Sequence, residues 1–252
     1  MNILVTNDDG INAKGIKALV EALSDLGNIF VVAPESQRSA CGHGITIHEP
    51  VMVREVNFEG AKKAWAVSGT PADCVKLGVS MFIHDNIDIV FSGINQGGNL
   101  GTDVLYSGTV SGAVEGILLG YPSVAVSIDS HTGDNFDSAK RITRNVCRHM
   151  MSKELERETL LNINVPYISE NEIKGVRITK LGIREYLEAF QERKDPRGRV
   201  YYWYSGIPKN VFSEEETDVM AVENGYISIT PIHFDLTNYR IINDIKDWGI
   251  EY

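Results

Sequence analysis

At 252 residues the chain has room for one or two domains and for a core that needs neither disulfides nor a structural metal. Its net charge of -10 repels polyanions and argues against duplex binding, so an anionic substrate would need a cation or backbone N–H groups. Three cysteines with no C-x-x-C pair fit a reducing cytosol, no apolar run reaches the roughly 18 residues of a membrane helix, and the N-terminus has no signal pattern; a cytoplasmic protein without a membrane partner is expected.

Residues 2–7 read as a short buried strand, and 12–26 as a helix carrying Ile16, Leu19, Val20 and Leu23 at helical spacing. A second β-branched run at 29–34 completes a strand–helix–strand order, which argues for a parallel βαβ unit. Residues 45–56 and 63–68 look like extra strands, and Pro71 opens a helix to about Phe82. A buried run at 87–93 leads into a Gly-rich loop. A helix over 109–119, a strand over 121–128, a charged amphipathic helix over 135–157 and a strand over 160–166 follow.

Beyond residue 175 the character changes. Two regions are expected: an α/β core over 1–175 and a C-terminal region over 176–252 that ends in a tail. The stretch 183–209 is charged and aromatic, with Tyr201, Tyr202, Trp203 and Tyr204 in a row. It reads either as a hairpin packed on its own domain or as a contact between subunits. Residues 227–240 look like a last strand and its exit.

Ligands of open α/β sheets bind beyond the carboxyl ends of the strands. That places Asn7-Asp8-Asp9-Gly10, the loop 35–44 and the loop 93–99 on one sheet edge. Asp8 and Asp9 are adjacent carboxylates whose repulsion a cation would relieve; read alone they are equally a turn. Ser39 and Asn95 could add oxygen ligands, or cap a loop and make a turn. An oxygen-rich set of this kind suits Mg²⁺, Mn²⁺ or Ca²⁺ and disfavours zinc. Ser107-Gly108-Thr109 precedes a helix and reads as an anion site or as a plain N-cap. The nucleotide-binding loops G-x-x-x-x-G-K-[ST] and G-x-G-x-x-G are absent, as is G-x-S-x-G, and no arginine closes an anion loop after Cys41.

Taken in order, ILVTNDDGINAKGI (3–16), VAPESQRSACGHGIT (32–46), VSGTPADCVKLGV (67–79) and DIVFSGINQGGNLGTDVLYSGTVSGAVEG (88–116) resemble the survival protein E (SurE) family. The resemblance continues through YPSVAVS, LNINVP, KDPRGRVYYW and ITPIHFDLT to residue 237. It implies a Rossmann-like α/β fold, with a mostly parallel sheet, helices on both faces and an extended C-terminal β arm shared between subunits of a homodimer or homotetramer. It implies a phosphatase of nucleoside 5′- and 3′-monophosphates, some members also cleaving short polyphosphate. It also implies one divalent cation per subunit, Mg²⁺ or Mn²⁺, with Ca²⁺ able to replace it in crystals, held by Asp8, Asp9, Ser39 and Asn95. The expected reaction is in-line attack of an activated water on phosphorus, with Asp8 or Asp9 orienting or deprotonating it. Gln96, Gly98 and Thr102 stand where many members carry Arg, Ala and Asp, departures that bear on substrate preference more than on the reaction.

Overall fold

A computed structural model describes residues 1–153, 158–187, 190–211 and 216–250, excluding the side chains of 207, 208, 210 and 211. The chain opens with β1 (Asn2–Thr6), α1 (Lys14–Leu23) and β2 (Asn28–Pro34), followed by β3 (Val53–Val56), β4 (Lys63–Val67) and α2 (Pro71–Leu77). Then come β5 (Ile89–Gln96), a 3₁₀ turn over Gly101–Leu105, α3 (Gly108–Leu118), β6 (Ser123–Asp129), α4 (Asp137–Ser152) and β7 (Thr159–Pro166). The last part holds β8 (Val176–Ile178), β9 (Ile183–Leu187), β10 (Phe190–Lys194), β11 (Val200–Tyr204), β12 (Ile207–Val211), α5 (Asp218–Glu223), β13 (Ile227–His233) and α6 (Ile242–Lys246).

A nine-stranded sheet in the order β3-β4-β2-β1-β5-β6-β7-β13-β8 forms the frame. From β4 to β7 all neighbours are parallel, while β3 and β13 enter antiparallel. Successive side chains of β1 leave on opposite faces. Ile3 and Val5 pack with α1 and α4 residues such as Leu19, Leu23, Ile142 and Val146. Leu4 packs on the other face with Cys74 and Val75 of α2. Both faces of this strand are covered, which is why residues 3–5 read as an unbroken apolar run.

Chain direction across the sheet reverses between β1 and β5: β2 and β4 lie on one side of β1, β5 and β6 on the other. Asp8 and Asp9 follow β1 and Asn95 is the last residue but one of β5, so all three stand at this switch point, where open α/β sheets take their ligands. A bulge in the β5–β6 pairing between Ser92 and Asn95 re-aims the end of β5. Gly93 permits it: its φ is +139°, and a Cβ there would stand 2.4 Å from the carbonyl oxygen of Val126.

The expected strand over 45–56 is reduced to Val53–Val56. Asp73 accounts for the difference, because its carboxylate accepts the backbone N–H of Thr46 at 3.1 Å and the Thr46 hydroxyl at 2.6 Å. That N–H goes to a side chain instead of a strand ladder. The expected helix over 135–157 is described as Asp137–Ser152; residues 154–157 lie outside the described residues. Residues on both sides of position 175 share the main sheet, since β13 pairs with β7 and β8 with β13. The stretch 183–211 stands off it as two antiparallel pairs, β9–β12 and β10–β11.

Two asparagines in β7 look misplaced in a buried strand. Both have buried partners. Asn162 and Asn164 donate to the Asn99 carbonyl, at 2.8 and 3.0 Å, and Asn164 Oδ1 accepts the Asn99 N–H at 2.8 Å. Ser127 accepts the Asn99 side chain at 2.8 Å. The Gly-rich loop after β5 is thereby fixed to β6 and β7 by a buried polar network.

Candidate active site

A cavity of about 590 Å³ opens at the switch point, lined by Asp8, Ser39, Asn95 and Ser107 among its polar residues and by Tyr106, Tyr186 and Tyr204 among its aromatic ones. Another cavity, of about 640 Å³, lies outside α1 beside Lys17, Glu21 and Phe58, and its lining includes neither Asp8 nor Ser39 nor Asn95.

Asp8 is buried, 4% exposed. Burial pushes its carboxyl up to about 6, the Thr109 bonds pull the other way, and the neighbouring Asp9 charge pushes it further up. The Thr109 hydroxyl donates to Asp8 Oδ1. Gly108 is what lets Asp8 sit against the start of α3: a Cβ at that position would stand 2.7 Å from Asp8 Cβ and 2.9 Å from Oδ2. Asp9 is half-buried, is pushed above its usual value by burial, and accepts the Gln96 N–H at 3.4 Å. No ion pair to either carboxylate is formed by a Lys or Arg among the described residues.

The Asn95 side-chain amide donates to Gly97 O at 2.6 Å, so Oδ1 remains an acceptor. Ser39 Oγ accepts from Gln37 Nε2 at 2.8 Å. Ser39 rides on an exposed loop held at several points, among them the Arg38 N–H donating to the Asp8 carbonyl at 2.7 Å. Its far end is tied to Asp73 through Thr46, and His43 Nε2 lies 2.9 Å from Oε2 of buried Glu115 on α3. Burial works against the Glu115 charge, but the bonds from His43 and from Lys76 at 3.1 Å outweigh it and hold the carboxyl below its usual range. Among the described residues no group of three or more His, Cys, Asp and Glu side chains is placed to hold a metal. A cation here would therefore take two carboxylates and complete its shell with neutral oxygens.

The three residues read as an anion site have separate places. Ser107 lines the cavity and is the N-cap of α3, its oxygen accepting the Val110 N–H at 3.0 Å. Gly108 faces Asp8, and the hydroxyl of fully buried Thr109 is engaged by Asp8. The capping reading and the anion reading are compatible at Ser107, because a hydroxyl oxygen can cap while its proton stays available.

Sequence reasoning did not find Tyr106, Tyr186, Tyr204, His131 or Asp103 in this cavity. Tyr186 and Tyr204 come from the protruding arm, so no local motif could have announced them. Gln96 and Thr102, noted as departures, both have structural partners. Gln96 Nε2 donates to Gly133 O at 2.5 Å, and Thr102 Oγ1 donates to the Arg184 carbonyl at 3.0 Å, linking the 3₁₀ turn to β9. Asp218, fully buried, accepts the N–H groups of Gly101 and Gly182 at 2.7 and 2.8 Å and fixes the root of the arm beside the same turn.

Comparison with known proteins points in one direction. A family model described as Survival protein SurE matches residues 3–188. A protein of Syntrophomonas wolfei named 5′-nucleotidase SurE is 52% identical over 247 residues, which is 98% of this chain and 94% of the relative. One of the same name from Alkaliphilus metalliredigens is 48% identical over 253 residues and spans 100% of both chains. The crystal structure of the SurE protein from Aquifex aeolicus superposes with a TM-score of 0.86 at 40% identity, over 99% of this chain and 100% of that one. No helix among the described residues is long and apolar enough to cross a membrane.

Proposed function

The chain belongs to the survival protein SurE family, and on that premise we propose that it is a 5′-nucleotidase whose reaction runs in the cavity floored by Asp8. It hydrolyses nucleoside 5′-monophosphates to nucleoside and phosphate. The observation that carries the reading is the cavity at the sheet's switch point that Asp8, the Asn95 amide, Ser39 and Ser107 line together, with Asp9 next to Asp8 in the chain. Because the phosphate end engages the floor and the nucleoside faces an open rim, 3′-monophosphates belong to the same reading.

The finer part of the proposal is metal dependence. Asp8, Asp9, Ser39 and Asn95 would hold one Mg²⁺ or Mn²⁺. The donor set fits: oxygens only, with two adjacent carboxylates that burial pushes above their usual range, Asp8 further by the Asp9 charge, and that a cation would relieve. Such a cation supplies Lewis acidity toward phosphoryl oxygen and lowers the pKa of water.

The protein's own groups do the rest. Thr109 fixes the Asp8 carboxylate in one orientation. Asp9, half-buried and next to Asp8 in the chain, orients the attacking water and takes its proton. The water oxygen bonds to phosphorus as the bond from phosphorus to the nucleoside oxygen breaks, and that oxygen takes a proton from solvent in the open cavity. Charge on the phosphoryl oxygens meets the Ser107 hydroxyl and the positive end of α3. Exposed aromatic side chains on the arm, among them Phe190, Tyr202 and Trp203, support assembly into a dimer or tetramer.

The test is phosphate release from AMP, GMP, CMP and UMP, set against a phosphodiester and a carboxylic ester. Turnover confined to the monoesters is expected. Faster cleavage of the diester or the carboxylic ester would overturn the reading.

A further inference from the structure

We infer that Tyr106 and Tyr204 form a stacking platform for the nucleobase, with Tyr186 holding Tyr204 in place; the inference rests on the nucleotidase reading of the same cavity. The cavity is divided by chemistry. Asp8, Ser39, Asn95 and Ser107 are the polar lining that the nucleotidase reading gives to phosphate, while three tyrosines line the same cavity, Tyr106 from the end of the 3₁₀ turn and Tyr186 and Tyr204 from the arm. Tyr106 directly precedes Ser107 in the chain, and it is 67% exposed; Tyr204 is 62% exposed. Two large rings left open to water beside a polar floor are surfaces without an occupant.

These rings are held, not loose. Tyr186 and Tyr204 have ring centroids 5.9 Å apart, and Phe190 meets Tyr204 edge-on at 5.6 Å. The Tyr186 hydroxyl donates to Asp103 Oδ2 at 2.6 Å, and Asp103 also takes Arg184 at 3.2 Å. The arm is thus locked to the turn that leads into Ser107 and α3. Tyr204 packs against Tyr186, which this set holds, and lines the cavity while remaining largely exposed.

A nucleoside monophosphate matches that division: an anion at one end, a flat π-system at the other, and a ribose between. Stacking on a ring face reads area, not the hydrogen-bonding edge of the base. The platform therefore accepts all common bases, favours purines over pyrimidines for their larger face, and disfavours sugar phosphates that lack a base.

The experiment compares kcat/KM for AMP and for ribose 5-phosphate in the full-length protein and in Tyr106→Ala, Tyr204→Ala and the two Tyr→Phe variants. Each alanine variant should lower the preference for AMP over ribose 5-phosphate by about tenfold, mainly through KM for AMP, from the usual worth of a base–aromatic stack. Both phenylalanine variants should keep that preference. An unchanged preference in the alanine variants, or an equal loss on both substrates, would overturn the platform. Tyr106 lies outside the arm, so its variant reports on stacking even if Tyr204→Ala disturbs assembly. Failure of the wild-type protein to cleave either compound would instead defeat the nucleotidase reading, and the platform with it.

Discussion

Asp8→Asn is expected to lower kcat/KM for AMP about a thousandfold, roughly 4 kcal/mol of transition-state stabilisation, while the chain stays folded. Asparagine keeps the shape of the side chain and can still accept the Thr109 hydroxyl, so the local packing has no reason to change. What goes is the charge that would hold the cation. The same substitution has a signature in stability. In chelator, burial raises the wild-type Asp8 carboxyl from 3.8 to about 6. Between those values the folded protein binds more protons than the unfolded one, so this group makes stability fall as pH rises, and the cost is complete above about 6. Asp8→Asn lacks that fall. Its melting temperature in chelator should therefore gain on wild type across this window and hold the gain at neutral pH. Unaltered turnover, or a melting curve that follows wild type at every pH, would show Asp8 to be a turn residue only.

Gly108→Ala is expected to cost about a hundredfold in kcat/KM without unfolding the protein. Helix propensity alone favours alanine, by about 1 kcal/mol in a helix interior, so the helix gives no reason for glycine here. The reason is Asp8, whose Cβ would lie 2.7 Å from the added methyl carbon. Either Asp8 or the start of α3 must move, and displacement of a catalytic group by about 1 Å can cost on the order of a hundredfold. Activity measured beside circular dichroism separates the outcomes. Lost turnover with an intact helical signal supports the packing argument, and wild-type turnover would show that the site tolerates an Asp8 shift.

Much of the architecture was legible because burial writes itself into local composition. The run Ile3-Leu4-Val5 is apolar without alternation since helices cover both faces of β1, and the mostly parallel sheet followed from such runs separated by helical periods. Placing Asp8, Asp9 and Asn95 on one edge needed only the rule that strand ends carry the ligand. What stayed hidden depends on contacts between distant positions. Nothing near Thr46 announces that Asp73 takes its N–H and stops a strand from forming. Asn162 and Asn164 look wrong for a buried strand until the loop at Asn99 reaches them. Gly108 reads as an ordinary helix start, and Thr109 as a phosphate donor, until Asp8 lies against both. Tyr204 read as packing or interface; its place in the cavity depends on the arm being fastened across the 3₁₀ turn by Asp103 and Asp218.

If Asp8 and Asp9 hold the cation on which phosphate release depends, removing that cation must silence the protein reversibly. The most direct measurement is phosphate release from AMP by chelator-treated wild-type protein, before and after Mn²⁺ or Mg²⁺ is added back. Loss of activity on chelation and recovery with either metal is the predicted result; full activity in metal-free buffer would contradict it.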